Sequence, residues 1–255
     1  ELREGDRVVV EPTVWCGKCA ACRRGYNHIC QELNFLGIDS PGAFQEFWKV
    51  PLDRVHLVPE ELGDEEGALI EPLAVAVHDV RRAGVEVGDQ ALVMGGGPIG
   101  LLVALAARLD GAEVLISEVN PFRVEKAQMF GFRALNPREE DLGACIEDWT
   151  DGAGVDLVFE VSGNSTAVEV MTDLVRVRGT ICIVGVHPDP RKVDLHRMFW
   201  RELEFKGCRC YEPVDFDRAI RIAAAGRIDL KELVSEILPL GEARWGFEQM
   251  KGGGQ

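Results

Sequence analysis

The sequence predicts an α/β protein: a doubly wound parallel sheet together with a second, smaller domain that is mainly β. The chain has 255 residues, and two domains are expected because single cores stop growing near roughly 250 residues. After residue 90, apolar strand-like runs, glycine turns and helical segments alternate, which is typical of a parallel sheet covered on both faces. Before residue 58, short apolar runs are separated by Gly and Pro, which favours antiparallel strands.

The N-terminal part contains the smaller domain and the start of a connecting helix. Arg7–Val10 and Ala43–Trp48 are rich in β-branched and aromatic residues, so we expect strands there. Between Glu65 and Arg82, apolar residues take helical spacing only in the later part, where one stripe includes Leu73. We expect this helix to connect the two domains.

The remaining elements follow the strand, turn and helix order of a doubly wound sheet. The predicted strands are Ala91–Met94, Glu113–Ser117, Leu157–Glu160, Thr180–Val184 and Leu203–Cys210. The predicted helices are Pro98–Leu109, Pro121–Phe130, Ser165–Val175, Phe216–Ala225 and the amphipathic Gly241–Met250.

Composition and charge exclude several classes of partner. With 43 acidic and 28 basic residues the net charge is −15, which repels nucleic acid and anionic membrane surfaces. The longest apolar runs, Ala91–Met94 and Ile99–Ala107, are shorter than the roughly 20 residues of a membrane helix. We therefore expect neither nucleic acid nor a membrane as a partner.

The chain ends indicate a longer native protein. The sequence begins at Glu1 without a methionine or a basic leader, and Lys251–Gln255 reads as a turn with no strand after it. We expect the true N-terminus to be missing and the C-terminus to be cut.

A glycine motif after the first strand of the sheet predicts a dinucleotide site. Gly95, Gly97 and Gly100 form a G-x-G-x-x-G that includes Pro98 and Ile99 and opens a helix. These glycines let the backbone approach a pyrophosphate, which the helix N-terminus attracts. The residues Val184, Gly185 and Val186, where a later strand ends, are assigned to the cofactor as well.

An acidic residue predicts which dinucleotide binds. Glu118 follows Gly97 by 21 residues at the end of the next strand, where a carboxylate accepts both hydroxyls of the adenosine ribose. It would repel a 2′-phosphate, so NAD is expected rather than NADP. Arg123 stacks on adenine, holds a 2′-phosphate or is simply a solvated helix residue; the sequence leaves these open.

Four cysteines close together predict a metal site. Cys16, Cys19, Cys22 and Cys30 have the spacing of an all-thiolate zinc shell without an open coordination position. An iron–sulfur cluster is the alternative, but its bacterial motif has a shorter last gap followed by proline. Zinc is favoured, and a thiolate site of this kind indicates a reducing compartment, the cytoplasm.

Glu71 is the remaining candidate side chain. It precedes Pro72 in an apolar stretch near the expected domain junction, where a carboxylate is costly unless it is paired or near a metal. On the residues alone, a helix-start acid, which the helix dipole stabilises, is favoured over a site residue.

In this order, the motifs resemble those of the zinc-containing medium-chain dehydrogenases/reductases, the alcohol dehydrogenase superfamily. The resemblance covers essentially the whole chain and rests on Gly5–Val8, the four cysteines, Gly42–Phe47, Glu71–Leu73, the glycine turn, Ser117–Asn120 and Phe159–Gly163. Leu36–Gly42 and Ile70–Pro72 look most like the polyol and threonine dehydrogenase branch.

The resemblance implies NAD-dependent oxidation of a secondary alcohol or polyol, with a catalytic and a structural zinc. It implies a GroES-like catalytic domain over residues 1–75, incomplete here, a Rossmann domain over 76–210 and a return to the catalytic domain over 211–255. Glu71 takes the position that joins the catalytic zinc shell or relays protons beside it. Homo-dimers or homo-tetramers are also implied.

One part of the family pattern is absent. In the family a cysteine and a Gly-His-Glu segment hold the catalytic zinc, upstream of the Gly-Asp-Arg-Val strand that is residues 5–8 here. We therefore expect a truncated form that binds the cofactor and one zinc ion but turns over no alcohol. The alternative is a non-catalytic, zinc-stapled NAD-binding module; zinc-free quinone reductases normally lack the four-cysteine lobe.

Overall fold

The computed structural model describes residues 2–251. The chain forms two compact units, the first made of residues 1–75 with 209–255 and the second of residues 76–208. The boundary between residues 75 and 76 falls inside one helix. Within the described part, every helix is too short or too polar to cross a bilayer. Most of the expected C-terminal turn, residues 252–255, lies outside the described residues.

Ten strands and nine α-helices are formed within residues 2–251. In chain order the strands are β1 (Val8–Val10), β2 (Thr13–Val14), β3 (Asn34–Phe35), β4 (Val55–Leu57), β5 (Gln90–Met94), β6 (Glu113–Ser117), β7 (Arg133–Leu135), β8 (Val155–Glu160), β9 (Val175–Ile183) and β10 (Glu204–Gly207). The helices are α1 (Asp64–Ala68), α2 (Ile70–Ala83), α3 (Pro98–Leu109), α4 (Pro121–Met129), α5 (Leu142–Trp149), α6 (Ser165–Leu174), α7 (Leu195–Trp200), α8 (Pro213–Ala224) and α9 (Ala243–Lys251).

In the first unit, short strands form two antiparallel pairs. β1 pairs with β4 and β2 pairs with β3. The apolar stripe of α2 that includes Leu73 is buried, as its spacing predicts. Ala43–Trp48, expected as a strand, has no regular structure. A strand requires a partner for its backbone groups, and none of the described residues pairs with this segment.

In the second unit, six parallel strands form one sheet in the order β10-β9-β8-β5-β6-β7. Counted from β5 along the chain, this is the strand order of a doubly wound dinucleotide-binding fold, which confirms the predicted fold class. The order reverses between β5 and β8, so a crevice opens at the carboxyl ends of these two strands. Residues 91–94 and 157–160 are buried, as expected for strands covered on both faces.

Some predicted boundaries differ from the structure. The strand expected at Thr180–Val184 begins at Val175, directly after α6. The strand expected at Leu203–Cys210 covers only Glu204–Gly207, because its partner β9 ends at Ile183, the residue that pairs with Gly207. β7, α5 and α7, which have three, eight and six residues, are absent from the sequence prediction.

Candidate functional site

A tight turn joins β5 to α3 in the second unit. Gly95 has a φ of +114°, and a Cβ on Gly100 would overlap the carbonyl oxygen of Gly95. Gly97 is the N-cap of α3, and Pro98, which lacks an N–H, takes the first helical position. The turn therefore requires glycine at residues 95 and 100. It places the free N–H groups of the α3 N-terminus at the carboxyl end of the sheet, where they attract an anion.

Glu118 follows β6 and is fixed by the backbone around it. Its side chain is buried, and its two oxygens accept hydrogen bonds from the N–H groups of Gly96 (2.7 Å), Val119 (2.7 Å) and Asn120 (2.8 Å). A carboxylate has about four lone-pair sites, so one remains for a ligand. The sequence-based expectation of bonds to both ribose hydroxyls would require one backbone donor to be displaced.

The glycine turn and Glu118 border one cavity of about 520 Å³. Seven of the residues assigned to the cofactor line it: Gly95, Gly97, Pro98, Ile99, Gly100, Glu118 and Arg123. The Nη1 atom of Arg123 lies 3.9 Å from the Glu118 carboxylate. The cavity therefore combines helix N–H groups and a guanidinium group with one buried acid, which suits a ligand that carries both phosphates and hydroxyls.

Other lining residues were not predicted. Arg138 and Pro137 come from the segment after β7, and Val161, Ser162 and Asn164 come from the segment after β8. The parallel order of the strands is what brings these turns together, because the carboxyl ends of neighbouring strands meet at one edge of the sheet. The spacing of Phe159–Gly163 was the one sequence signal for the second of these segments.

Val184, Gly185 and Val186 lie outside the lining of this cavity. They follow β9, and the N–H groups of Val184 and Gly185 both donate to the Glu160 carbonyl oxygen, at 2.9 and 2.8 Å. The Val186 side chain is exposed. This segment is therefore tied to the end of β8, beside the cavity.

The four cysteines converge in the first unit. The sulfur atoms of Cys16, Cys19, Cys22 and Cys30 all lie within 4.8 Å of one another. The N–H group of Cys16 donates to the Cys30 sulfur and that of Cys19 to the Cys16 sulfur, at 3.4 and 3.3 Å. Hydrogen bonds of this kind stabilise thiolates, the form in which cysteine binds metal.

These sulfur positions fit a single zinc ion. Zinc–sulfur bonds of about 2.3 Å in a tetrahedron place the sulfurs about 3.8 Å apart, and the Cys19 and Cys30 sulfurs are 3.9 Å apart. An iron–sulfur cluster places several atoms between its cysteines and needs more room than this. The backbone N–H of Cys22 lowers the pKa of Cys19 to about 6, whereas loss of hydration raises the pKa of Cys22 to about 12. A bound cation removes the protons that such crowded thiols otherwise retain.

Glu71 lies in the first turn of α2 and contacts a buried tyrosine of the same unit. Burial raises the pKa of the Glu71 carboxyl, and an interaction with the hydroxyl of Tyr211 partly lowers it again. Burial and the nearby charges of Glu71 and Glu11 raise the pKa of Tyr211 well above its usual range. Tyr211 therefore remains protonated, and its buried hydroxyl makes no hydrogen bond of ordinary geometry within the described residues. Tyr211 is absent from the site expected on the sequence, because it lies 140 residues further along the chain than Glu71.

The described residues contain no second group of ligands that could hold a catalytic zinc ion. Among residues 2–251, the four cysteines are the one group of three or more potential ligands. Glu71 alone does not hold an ion, because a catalytic zinc site requires about three protein ligands and one open position. No chemical step is therefore assigned to a second zinc ion.

A doubly wound sheet with a glycine turn and a buried acid at its carboxyl edge, together with a group of four cysteines, is typical of cofactor-dependent oxidoreductases that carry a structural metal. Known families agree with this class. Residues 1–60 match the alcohol dehydrogenase GroES-like domain, and residues 98–225 match the zinc-binding dehydrogenase family.

Individual relatives support the same class. The chain is 47% identical to 2-dehydro-3-deoxy-L-galactonate 5-dehydrogenase of Pseudoalteromonas atlantica, over 98% of this chain and 74% of the relative. It is 34% identical to sorbitol dehydrogenase of Bacillus subtilis, over 98% of this chain and 71% of that protein. A Sinorhizobium meliloti 1021 protein assigned to the zinc-binding dehydrogenases and solved with NADP has a TM-score of 0.88 and 30% identity, over 95% of this chain and 73% of its own.

The chain belongs to the zinc-binding dehydrogenase family. It is an oxidoreductase of the medium-chain type that uses NAD(P) and zinc. The resemblance seen in the sequence is thereby confirmed, and nothing in these comparisons favours the non-catalytic alternative.

Proposed function

We propose that this chain prefers NAD(H) to NADP(H) and serves the oxidation of a secondary alcohol to a ketone. The buried Glu118 carboxylate at the wall of the 520 Å³ cavity carries the proposal. One of its lone pairs is left for a ribose hydroxyl, and its negative charge opposes a 2′-phosphate. When bound, NAD⁺ supplies the hydride acceptor.

Different residues of the cavity hold different parts of the dinucleotide. The glycine turn and the N-terminus of α3 hold the pyrophosphate, and Arg123 and Arg138 add positive charge at the cavity wall. Gly95, Gly97 and Gly100 serve by allowing the backbone to come close. Arg123 lies near Glu118, which holds it at the adenosine end of the cavity.

We assign one structural zinc ion to Cys16, Cys19, Cys22 and Cys30, supported by the clustering of their sulfurs. A closed thiolate shell leaves no position for substrate, so its contribution is to the folding of the lobe. We also assign the domains as residues 1–75, 76–210 and 211–255, with the first and last forming one catalytic domain. The division of the chain into two compact units supports this assignment.

For the substrate we propose a sugar acid, a polyhydroxy carboxylate oxidised at a secondary hydroxyl. The support is the 47% identity to a galactonate-derivative dehydrogenase, compared with 34% to a sorbitol dehydrogenase. We expect a cytoplasmic homo-dimer or homo-tetramer; the four unpaired thiols of the metal lobe support a reducing compartment.

Calorimetric titration of the zinc-loaded chain with NADH and with NADPH tests the cofactor proposal. We expect NADH to bind at least about tenfold more tightly, the factor that roughly 1.4 kcal/mol of charge repulsion produces. Equal affinities, or tighter NADPH binding, would contradict the role given to Glu118.

The substrate proposal is tested with a chimera as well as with the chain itself. In the chimera, the residues of the Pseudoalteromonas atlantica relative that precede its counterpart of Gly5 are joined ahead of Gly5. We expect one zinc ion in the chain and a second in the chimera, and NADH formation by the chimera with a sugar acid rather than with sorbitol or threonine. Faster turnover of sorbitol or threonine would assign a different substrate class.

A further inference from the structure

A buried carboxylate joins the two turns that follow β8 and β9. Glu160 is the last residue of β8, and its side chain is 0% exposed. Its Oε1 atom accepts hydrogen bonds from the Ser162 hydroxyl (2.5 Å) and from the N–H of Gly163 (2.9 Å). Its Oε2 atom lies 2.8 Å from Nε2 of His187.

The fit around this carboxylate is close on both sides. A Cβ on Gly185 would lie 2.7 Å from the Glu160 Oε2 atom and 2.5 Å from the N atom of Gly163. Within the described residues, Nδ1 of His187 is buried and makes no hydrogen bond. The histidine ring therefore makes its polar contact with Glu160, and Nε2 donates to a carboxylate that only accepts.

Burying the Glu160 carboxylate costs free energy, because the charged group loses its hydration. An apolar side chain of similar volume would fill the space without the desolvation penalty. No arginine or lysine is paired with Glu160 among the described residues. The carboxylate lies between two turns at the carboxyl edge of the sheet. A function at this position would account for the desolvation penalty.

The sheet order identifies which half of the cofactor passes these turns. The pyrophosphate belongs at the turn after β5, and Glu118 places the adenosine ribose at β6, on one side of β5. In the order β9-β8-β5-β6, the ends of β8 and β9 lie on the other side. The nicotinamide half of a dinucleotide must therefore extend towards the turns that Glu160 joins. Ser162 already lines the cavity.

We propose that Glu160 is a positioning residue that, with His187, fixes the two turns against which the nicotinamide half of the cofactor binds. Its hydrogen bonds to Ser162 and Gly163 hold the turn after β8. Its contact with His187 holds the segment after β9, including Gly185. This proposal rests on the proposed cofactor site, and it adds a residue that does not itself touch the cavity.

The test compares NADH with ADP, which carries only the adenosine half. Affinities of both ligands are measured by calorimetry for the full zinc-loaded chain and for E160Q, H187N and the double variant. We expect each single variant to lose about tenfold in NADH affinity, the effect of one charge-assisted hydrogen bond, and to bind ADP unchanged. The double variant should lose little more, because both residues act through one contact.

Three further measurements separate positioning from general stability. E169Q changes an exposed acid of α6 outside the cavity lining and should leave both affinities unchanged. The emission of bound NADH, which reports the surroundings of the nicotinamide ring, should shift in E160Q and not in E169Q. If E160Q does not fold, S162A and H187N test the two sides of the carboxylate separately.

Two results would overturn the proposal. Equal losses of NADH and ADP affinity in E160Q and H187N would indicate a general structural role, and unchanged NADH affinity in both would indicate none. In either case the cofactor site itself would stand, since the parent chain binds both ligands. Failure of the parent chain to bind either ligand would instead overturn the proposed function, and this inference with it.

Discussion

Glu118 accepts a hydrogen bond from the Gly96 N–H in the glycine turn, and we propose that its charge also selects the cofactor. Replacing it with serine should lower NADH affinity and reduce the preference over NADPH by about tenfold, because the charge repulsion of roughly 1.4 kcal/mol disappears. The ratio of the two dissociation constants measures this. E125Q, at an exposed position of α4, is the matched control. An unchanged ratio in E118S would show that selection occurs elsewhere.

Glycine at residue 100 is required by sterics, because a Cβ there would overlap the carbonyl oxygen of Gly95. We expect G100A to lose about 1–3 kcal/mol of stability, the usual cost of overpacking, and to lose NADH binding. G207A is the control, since a Cβ on Gly207 meets no atom within 4 Å. Denaturant unfolding gives both values; equal stability of the two variants would contradict the close approach.

We expect the ionised Glu71 carboxylate to destabilise the folded protein at neutral pH. Burial raises its folded-state pKa above the ordinary 4.5, so the unfolded chain releases the proton first. Ionisation then favours unfolding as the pH rises above that value. E71Q should therefore melt at a higher temperature than the parent near pH 7, with a difference that shrinks as the pH falls below about 4. E61Q, at an exposed position, is the control. A melting difference independent of pH would contradict this account.

Among the elements, the four-cysteine lobe should act independently of the cofactor cavity, because it lies in the first unit and the cavity lies in the second. C30S should lower the zinc content from one ion per chain and increase proteolysis between residues 14 and 31, since a structural zinc contributes folding energy. NADH affinity should remain within about twofold, as expected for sites that share no residues. C145S, a cysteine of α5 outside the lobe, is the control. A parallel loss of NADH affinity would contradict this independence.

Elements with strong local signals were predictable. The strand, turn and helix around Gly95 have a buried apolar run, a glycine pattern and Pro at the first helical position, and these features agree with one another. β7 has three residues and α7 six, too few to develop a periodic pattern. Ala43–Trp48 has strand-like composition but no partner in the described chain. Composition alone does not reveal whether a partner is present.

The site was predictable where its chemistry lies in one stretch of chain. The glycine turn, Glu118 and the four cysteines fall within local spacings, so their grouping follows from the sequence. Tyr211 beside Glu71 and His187 beside Glu160 bring together residues far apart in the chain. Such pairs depend on strand order and packing, which a single sequence does not provide.

At the scale of the whole molecule, the two units contain different chemistry. The second unit provides a doubly wound sheet and a cavity lined by the N-terminus of α3 and a buried acid. The first unit provides the four-cysteine lobe, Glu71 and Tyr211. The net charge of −15 opposes an anionic cofactor overall. Local donors at the α3 N-terminus, with Arg123 and Arg138, must therefore provide the attraction.

The central claim is that the carboxyl edge of the second unit's sheet binds NAD(H), with Glu118 at the adenosine ribose. A crystal structure of the chain with NADH tests this most directly. We predict the pyrophosphate against residues 95–100, one ribose hydroxyl within about 3 Å of a Glu118 oxygen, and the nicotinamide half towards β8 and β9. A cofactor bound in the reverse direction, or one that leaves the Glu118 carboxylate without a ribose contact, would contradict the claim.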